Sequence, residues 1–277
     1  MTKNDLPPER YALVGHPVEH SRSPLIHTLF ARQTGANLSY ELIDAEPKSF
    51  ETAVRGFGAA GGKGLNVTVP HKEAAYALVD EISAPADAAG AVNTIKFLDG
   101  KLYGENTDGV GLIRDLVANQ QQTLQGRTIL VLGAGGAARG IVGPLLAAKP
   151  SELVVANRTR ARADDLVAHF QSPYGLRAVA FAELEDLPPF DLLLNATSAG
   201  LKGEAPSFPA SLIGPQSFCY DLVYSVNDTP FVLWARQHAA ARAVQGWGML
   251  IEQAAESFFI WRGVRPDTKP ILKQLVR

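Results

Sequence analysis

Thr128-Ile129-Leu130-Val131-Leu132-Gly133-Ala134-Gly135-Gly136-Ala137-Ala138 is the stretch whose reading decides the fold. Its first five residues form an apolar run too short for a helix and bounded by glycines, which predicts a buried strand. An apolar helix follows to about Ala148, and Leu153 to Ala156 is a second apolar run. Strand, glycine turn, helix and strand make a βαβ unit, whose parallel strands are covered on both faces. The glycine spacing matches G-x-G-x-x-G/A with alanine last. Such glycines admit a pyrophosphate close to the backbone, where the free N–H groups and positive end of the helix attract its charge. An ordinary tight strand-to-helix turn is the competing reading.

The end of the second strand discriminates between nicotinamide cofactors, because an acidic residue there would hold the ribose 2′-hydroxyl of NAD. None is present. The chain continues Asn157-Arg158-Thr159-Arg160-Ala161-Arg162, three guanidinium groups and a hydroxyl where a 2′-phosphate would sit. Arginine suits bidentate phosphate recognition, so NADP(H) is expected. The plainer alternative is a solvated basic start to a helix over Arg160 to Phe170, capped by Thr159.

Outward from this unit, the short apolar runs Phe190 to Ala196 and Phe218 to Leu222 predict further strands of a doubly wound, Rossmann-type sheet. Upstream the pattern is α/β but not purely parallel. A strand at Tyr11 to Val14, a helix from Ser23 as N-cap through Pro24 to about Thr34, a strand at Leu38 to Ile43 and a helix at Pro47 to Gly56 precede the strand Gly64 to Pro70. Asp99-Gly100 between Val92 to Phe97 and Lys101 to Gly104 is a hairpin signal, so this sheet is mixed. The final helix spans roughly Met249 to Arg262.

The 277 residues suffice for two domains. Lys and Arg are scattered and the formal net charge is -2, so no basic stripe exists for nucleic acid. One cysteine, Cys219, excludes an internal disulfide and any multi-cysteine metal site; a reducing cytoplasm fits. The first residues lack a signal-like apolar stretch, and no run reaches the roughly 18 apolar residues of a membrane span. A soluble protein without a membrane or nucleic-acid partner is expected.

Reduction of a ketone places negative charge on oxygen and calls for a nearby acid. Lys72, just after the buried strand, and Asp108, just before a helix over Val110 to Asn119, both stand at strand-to-helix junctions. Residue type alone favours a solvated lysine and a helix-capping aspartate. The motifs as a set go further. Asn66-Val67-Thr68-Val69-Pro70-His71-Lys72, Gly90-Ala91-Val92-Asn93-Thr94, Gly104-Glu105-Asn106-Thr107-Asp108-Gly109, the glycine turn with Arg139, Asn157-Arg158-Thr159, Asn195-Ala196-Thr197-Ser198-Ala199-Gly200 and Gly246-Trp247-Gly248-Met249-Leu250 with Gln253 resemble shikimate dehydrogenase. They occur in that family's order from Leu13 to Val264.

The resemblance implies a substrate-binding domain of residues 1–107 plus 247–277, an NADP-binding domain of residues 108–246, and reversible reduction of 3-dehydroshikimate to shikimate in aromatic amino acid biosynthesis. It implies Lys72 and Asp108 as the catalytic pair. It assigns Ser21, Ser23, Thr68, Asn93, Tyr224 and Gln253 to substrate together with that pair. Cofactor contacts fall to Gly133, Ala134, Gly135, Gly136, Ala137, Asn157, Arg158, Thr159, Arg162, Thr197, Leu222, Gly246 and Met249, with no metal. The family often has Asn-Pro after the tyrosine, where this chain has Ser225-Val226, so the loop there is expected to differ. Monomer and homodimer both fit. Two other readings stand beside this one: a quinate/shikimate dehydrogenase using NAD or both cofactors, and a non-catalytic NADP-binding regulator.

Overall fold

The computed structural model describes residues 7–170, 175–197 and 207–275; Ser198 to Gly200 of the quoted motif lie outside them. The chain divides into two compact units, Met1–Gly111 with Leu250–Arg277, and Leu112–Met249. The divide falls at Gly111 and Met249, a few residues beyond the 107 and 246 suggested by the sequence pattern, because two helices run across it.

The first unit contains β1 (Glu9–Gly15), α1 (Ser23–Thr34), β2 (Leu38–Asp44), α2 (Phe50–Ala59), β3 (Gly62–Val67), α3 (Lys72–Leu78), β4 (Glu81–Ile82), α4 (Ala84–Ala89), β5 (Thr94–Leu98) and β6 (Lys101–Glu105). Its sheet has the order β2-β1-β3-β5-β6-β4. β1 pairs in parallel with β2 and β3, and β5 runs antiparallel to both β3 and β6. The β5–β6 turn has Asp99 at φ 52° and Gly100 at φ 76°, the pair of left-handed residues that a two-residue hairpin turn needs. Alternation along the strands builds two cores. Ala12, Val14, Leu65 and Ile95 pack with Phe50, Val54 and Phe57. On α1, Ile26 and Phe30 pack with Ile251, Ala254, Ala255 and Phe258.

Two details depart from the sequence reading. The strand expected to reach Pro70 leaves the sheet at Val67, and His71 N–H closes a turn onto the Thr68 carbonyl at 2.9 Å. The buried His71 ring anchors that turn, stacked on Phe50 at 4.5 Å with Nε2 2.7 Å from the Ala45 carbonyl. Ser23 is not the N-cap of α1. Arg22 holds that position without a side-chain cap, and the Ser21 hydroxyl accepts the Ser23 N–H at 3.2 Å, so Ser21 does the work expected of Ser23.

His27 of α1 is 1% exposed, lies flat on Tyr40 at 4.2 Å and meets Phe30, Phe258 and Trp261. Burial lowers its pKa to about 3, against the neighbouring Asn66 side chain, which raises it. The unfolded chain takes up this proton near pH 6.5 and the folded one does not, so stability present above pH 6.5 is lost as pH falls toward 3. Between pH 8 and pH 5 this group should cost about 2 kcal/mol. His27→Phe is expected to flatten that part of the acid dependence, read by hydrogen exchange of the α1 amides at the two pH values; an unchanged slope would refute it.

The second unit holds β7 (Thr128–Leu132), α6 (Gly136–Ala147), β8 (Glu152–Asn157), α7 (Arg160–Phe170), β9 (Gly175–Ala180), β10 (Phe190–Asn195), β11 (Ile213–Asp221), α8 (Pro230–Gln237) and β12 (Arg242–Gln245). All six strands are parallel in the order β12-β11-β10-β7-β8-β9. This is the doubly wound Rossmann-type sheet, with its switch point between β7 and β10. Ile129 and Val131 face one core while Leu130 and Leu132 face the other, which is why the strand reads as continuously apolar. The helix expected over Val110 to Asn119 is α5 (Asp108–Arg114) continued by a π-helical turn at Asp115–Asn119; α9 (Trp247–Arg262) and α10 (Lys269–Leu275) end the chain. Among the described residues no helix is long and apolar enough to cross a membrane, and no cluster of three metal-ligating side chains occurs.

Candidate active site

In the first unit the strand ends assemble a polar group around Lys72 and Asp108. Ser83 caps α4, its hydroxyl accepting the Ala86 N–H, and left-handed Gly90 (φ 58°) ends that helix. The chain then turns through Ala91 to Asn93. Val92 N–H donates to the carbonyl of Lys72 at 2.9 Å, which seats the first residue of α3 beside Asn93. Lys72 Nζ donates to Asp108 Oδ2 at 2.5 Å, with the two side chains 12% and 6% exposed. The other carboxylate oxygen, Oδ1, accepts from Asn93 Nδ2 at 2.8 Å.

Asn93 gives its second amide hydrogen to Thr107 Oγ1 at 2.9 Å and accepts the Thr107 N–H at 2.8 Å. Asp108 therefore does not cap its own helix. Asn106 does so, accepting the Asp108 N–H at 3.1 Å while donating to the Ala91 carbonyl at 2.9 Å. Both Asp108 oxygens are thus occupied by fixed donors. Lys72 has two further N–H donors for a ligand oxygen.

Gln253 joins this group through Thr107, whose hydroxyl donates to Gln253 Oε1 at 3.3 Å. One helical turn on, Ser257 donates to the Gln253 carbonyl at 3.1 Å and accepts from Asn66 Nδ2 at 2.9 Å, while its hydroxyl lies 2.8 Å from Thr94 Oγ1. Sequence reading did not single out Asn106, Ser257 or Thr94. The i, i+4 spacing of Gln253 and Ser257 on one helix face is the signal that could have found Ser257. Thr68 lies at the end of β3 with its N–H on the Val14 carbonyl, and His16 N–H reaches the Val69 carbonyl. These bonds join the loops carrying Thr68 and Ser21. Ser21 and Ser23 share a hydroxyl contact at 3.2 Å; among the described residues no hydrogen bond connects either serine to the Lys72 group.

The second unit collects the cofactor candidates at the carboxyl ends of its strands. Gly133 has φ +107°, and a Cβ there would stand 3.0 Å from the Ala196 carbonyl group. Gly135 is the N-cap of α6, with open space where its side chain would be. Ala134 precedes that cap, and Gly136 and Ala137 open the helix, whose first-turn N–H groups have no helical partner. A glycine-lined cradle at a helix N-terminus fits a dinucleotide pyrophosphate. Gly133→Ala is expected to cost about 1–3 kcal/mol through backbone strain and to weaken dinucleotide binding; denaturant unfolding and a binding titration check both.

At the end of β8, Asn157 Nδ2 donates to the Thr159 carbonyl at 2.9 Å. Arg160 is engaged with Asp164 at 3.0 Å and Glu183 at 2.7 Å. Arg158 and Arg162 are exposed, with no hydrogen-bond or ion-pair partner for their side chains among the described residues. They are the guanidinium groups available for a 2′-phosphate, the two of the three that the resemblance assigns to the cofactor. Thr197 donates to Asn195 Oδ1 at 2.7 Å, and Asn195 in turn donates to Asp221 Oδ1 at 2.9 Å. Burial raises the Asp221 carboxyl to about 6, against the hydrogen bonds from Thr229, Val223 and Asn195. Gly246 donates its N–H to the Val223 carbonyl at 3.1 Å, and its missing Cβ leaves room for the Leu222 carbonyl. Met249 is 8% exposed. The Tyr224 ring packs on Trp247 at 4.8 Å.

Comparison with known proteins identifies the family. Residues 13–95 match the model described as shikimate dehydrogenase substrate binding domain, residues 115–202 that of shikimate / quinate 5-dehydrogenase, and residues 246–276 that of the shikimate 5'-dehydrogenase C-terminal domain. A shikimate dehydrogenase (NADP(+)) of Alkalilimnicola ehrlichii is 55% identical over 96% of this chain and 98% of its own. The chain belongs to the shikimate dehydrogenase family. Among solved structures, shikimate 5-dehydrogenase of Thermus thermophilus in complex with NADP(H) and shikimate superposes with a TM-score of 0.85 at 35% identity, covering 97% of this chain and 99% of that one. An Ael1 enzyme of Pseudomonas putida does so with a TM-score of 0.87 at 45% identity, covering 96% and 98%.

Proposed function

We propose that the chain catalyses the reversible NADPH-dependent reduction of 3-dehydroshikimate to shikimate. The observation that carries this reading is the Lys72–Asp108 pair at 2.5 Å, buried and clamped by Asn93, in a chain of this family. Bound NADPH supplies the hydride to the ketone carbon. Lys72 then meets the developing negative charge on the carbonyl oxygen and delivers a proton to it from Nζ. Asp108 aims the ammonium and balances its charge; in the oxidative direction the lysine takes the alcohol proton back.

Ser21 and Ser23, at the start of α1, hold the substrate carboxylate, where hydroxyl donors and the helix dipole favour an anion. Thr68, Gln253, Tyr224 and the Asn93–Asp108 edge receive the ring hydroxyls. Gly133, Ala134, Gly135, Gly136 and Ala137 cradle the pyrophosphate. Asn157, Arg158, Thr159 and Arg162 hold the adenosine 2′-phosphate, and Thr197, Leu222, Gly246 and Met249 face the nicotinamide. We place the reaction in the cytoplasm, which suits a chain whose one cysteine is a buried thiol.

The test follows absorbance at the nicotinamide band with shikimate or quinate, each with NADP or NAD. Strong reduction with shikimate and NADP alone is the expected result. Comparable rates with NAD or quinate would make the chain a broader quinate/shikimate dehydrogenase, and no reduction in any arm would refute the reading.

A further inference from the structure

Where α9 begins, the second unit buries a carboxylate with no part in the reaction described above. Asp115 opens the π-helical turn after α5 and is wholly buried. Its Oδ2 accepts from the Tyr220 hydroxyl at 2.6 Å, and its Oδ1 accepts from Asn119 at 3.1 Å and Gln120 at 3.3 Å. The hydroxyl of fully buried Tyr220, on β11, also accepts the Met249 N–H at 3.2 Å. Position 248 has to be glycine for this packing, since any Cβ there would run into the Asp115 carboxylate. A buried acid thus reaches the backbone of α9's first turn through one tyrosine and one side-chain-free residue.

The strand order says what that turn faces. A dinucleotide on a doubly wound sheet crosses the switch point, here between β7 and β10. Arg158 at the end of β8 marks the 2′-phosphate side. The opposite half of the ligand then lies over the ends of β10, β11 and β12, where Leu222 and Gly246 abut and Met249 follows. Burying a carboxylate costs free energy unless its oxygens are satisfied, and one of these is satisfied by the Tyr220 hydroxyl, which also holds the Met249 N–H.

We propose that Asp115 and Tyr220 are positioning residues that hold the Gly246–Met249 segment in place for the nicotinamide half of the cofactor. This rests on the NADPH reading above. Tyr220→Phe removes the donor to Asp115 and the acceptor for Met249 while keeping the ring. It should raise the Kd for NADPH, read by its fluorescence on titration, about tenfold. The Kd for adenosine 2′,5′-bisphosphate, which lacks the nicotinamide half, should stay at the unaltered value. Asp115→Asn, which keeps shape and one acceptor oxygen, should give the same split at about threefold and serves if Tyr220→Phe does not fold. Unchanged NADPH binding, or equal weakening of both ligands, would overturn the positioning role. Failure of the unaltered chain to bind the bisphosphate would instead overturn the cofactor reading beneath it.

Discussion

Lys72→Ala is expected to lower kcat by about 10²- to 10⁴-fold, the range over which a general acid contributes, while the Kd for NADPH stays within about twofold, since the role proposed for this side chain lies in the chemical step. The expectation follows from geometry. One Nζ hydrogen is held by Asp108 Oδ2 at 2.5 Å, that carboxylate is fixed because Asn93 holds its other oxygen, and two further Nζ hydrogens remain for a ligand oxygen. Alanine also strands a buried carboxylate, so stability falls. Lys72→Arg separates the two effects. Arginine keeps a charge for Asp108 but does not release a proton at working pH, so this variant should fold better than alanine and remain nearly as slow. Turnover within about tenfold of the unaltered chain in Lys72→Arg would show that charge, and not proton transfer, is what position 72 supplies.

Arg158→Ala should raise KM for NADPH by about 10- to 100-fold, the equivalent of losing a charge-assisted bidentate contact of about 1.5–3 kcal/mol. KM for NADH, which has no 2′-phosphate, should hardly move, so cofactor preference narrows. Arg160 provides the control. It lies two residues away but is engaged with Asp164 and Glu183, and Arg160→Ala should leave the NADPH preference almost intact. Steady-state kinetics with both cofactors checks the pair; equal losses for NADPH and NADH in Arg158→Ala would remove this arginine from the phosphate site.

The second unit was legible because its signals are local. Thr128 to Leu132 is apolar on both faces, and the glycine turn and second strand follow within thirty residues. The Asp99-Gly100 hairpin was legible for the same reason. Capping was legible only in kind. A serine before proline satisfies the N-cap pattern, yet the accepting hydroxyl belongs to Ser21, a choice settled by the path of the preceding loop.

The Lys72 neighbourhood could be read only through resemblance, since residue type alone left a solvated lysine and a capping aspartate open. Its supporting residues lay out of reach altogether. Asn66 meets Ser257 across 191 positions and Tyr220 meets Asp115 across 105, separations at which no periodicity or turn signal operates. The run of arginines alone does not show which of the three is engaged, because Glu183, which holds Arg160, arrives from beyond the next strand.

The most direct test of the account is a crystal structure of the chain with shikimate and NADP⁺ bound. Lys72 Nζ is expected about 3 Å from the hydroxyl to be oxidised, with Asp108 still behind the lysine and Arg158 on the 2′-phosphate. Another donor on that hydroxyl, with Lys72 turned to solvent, would contradict it.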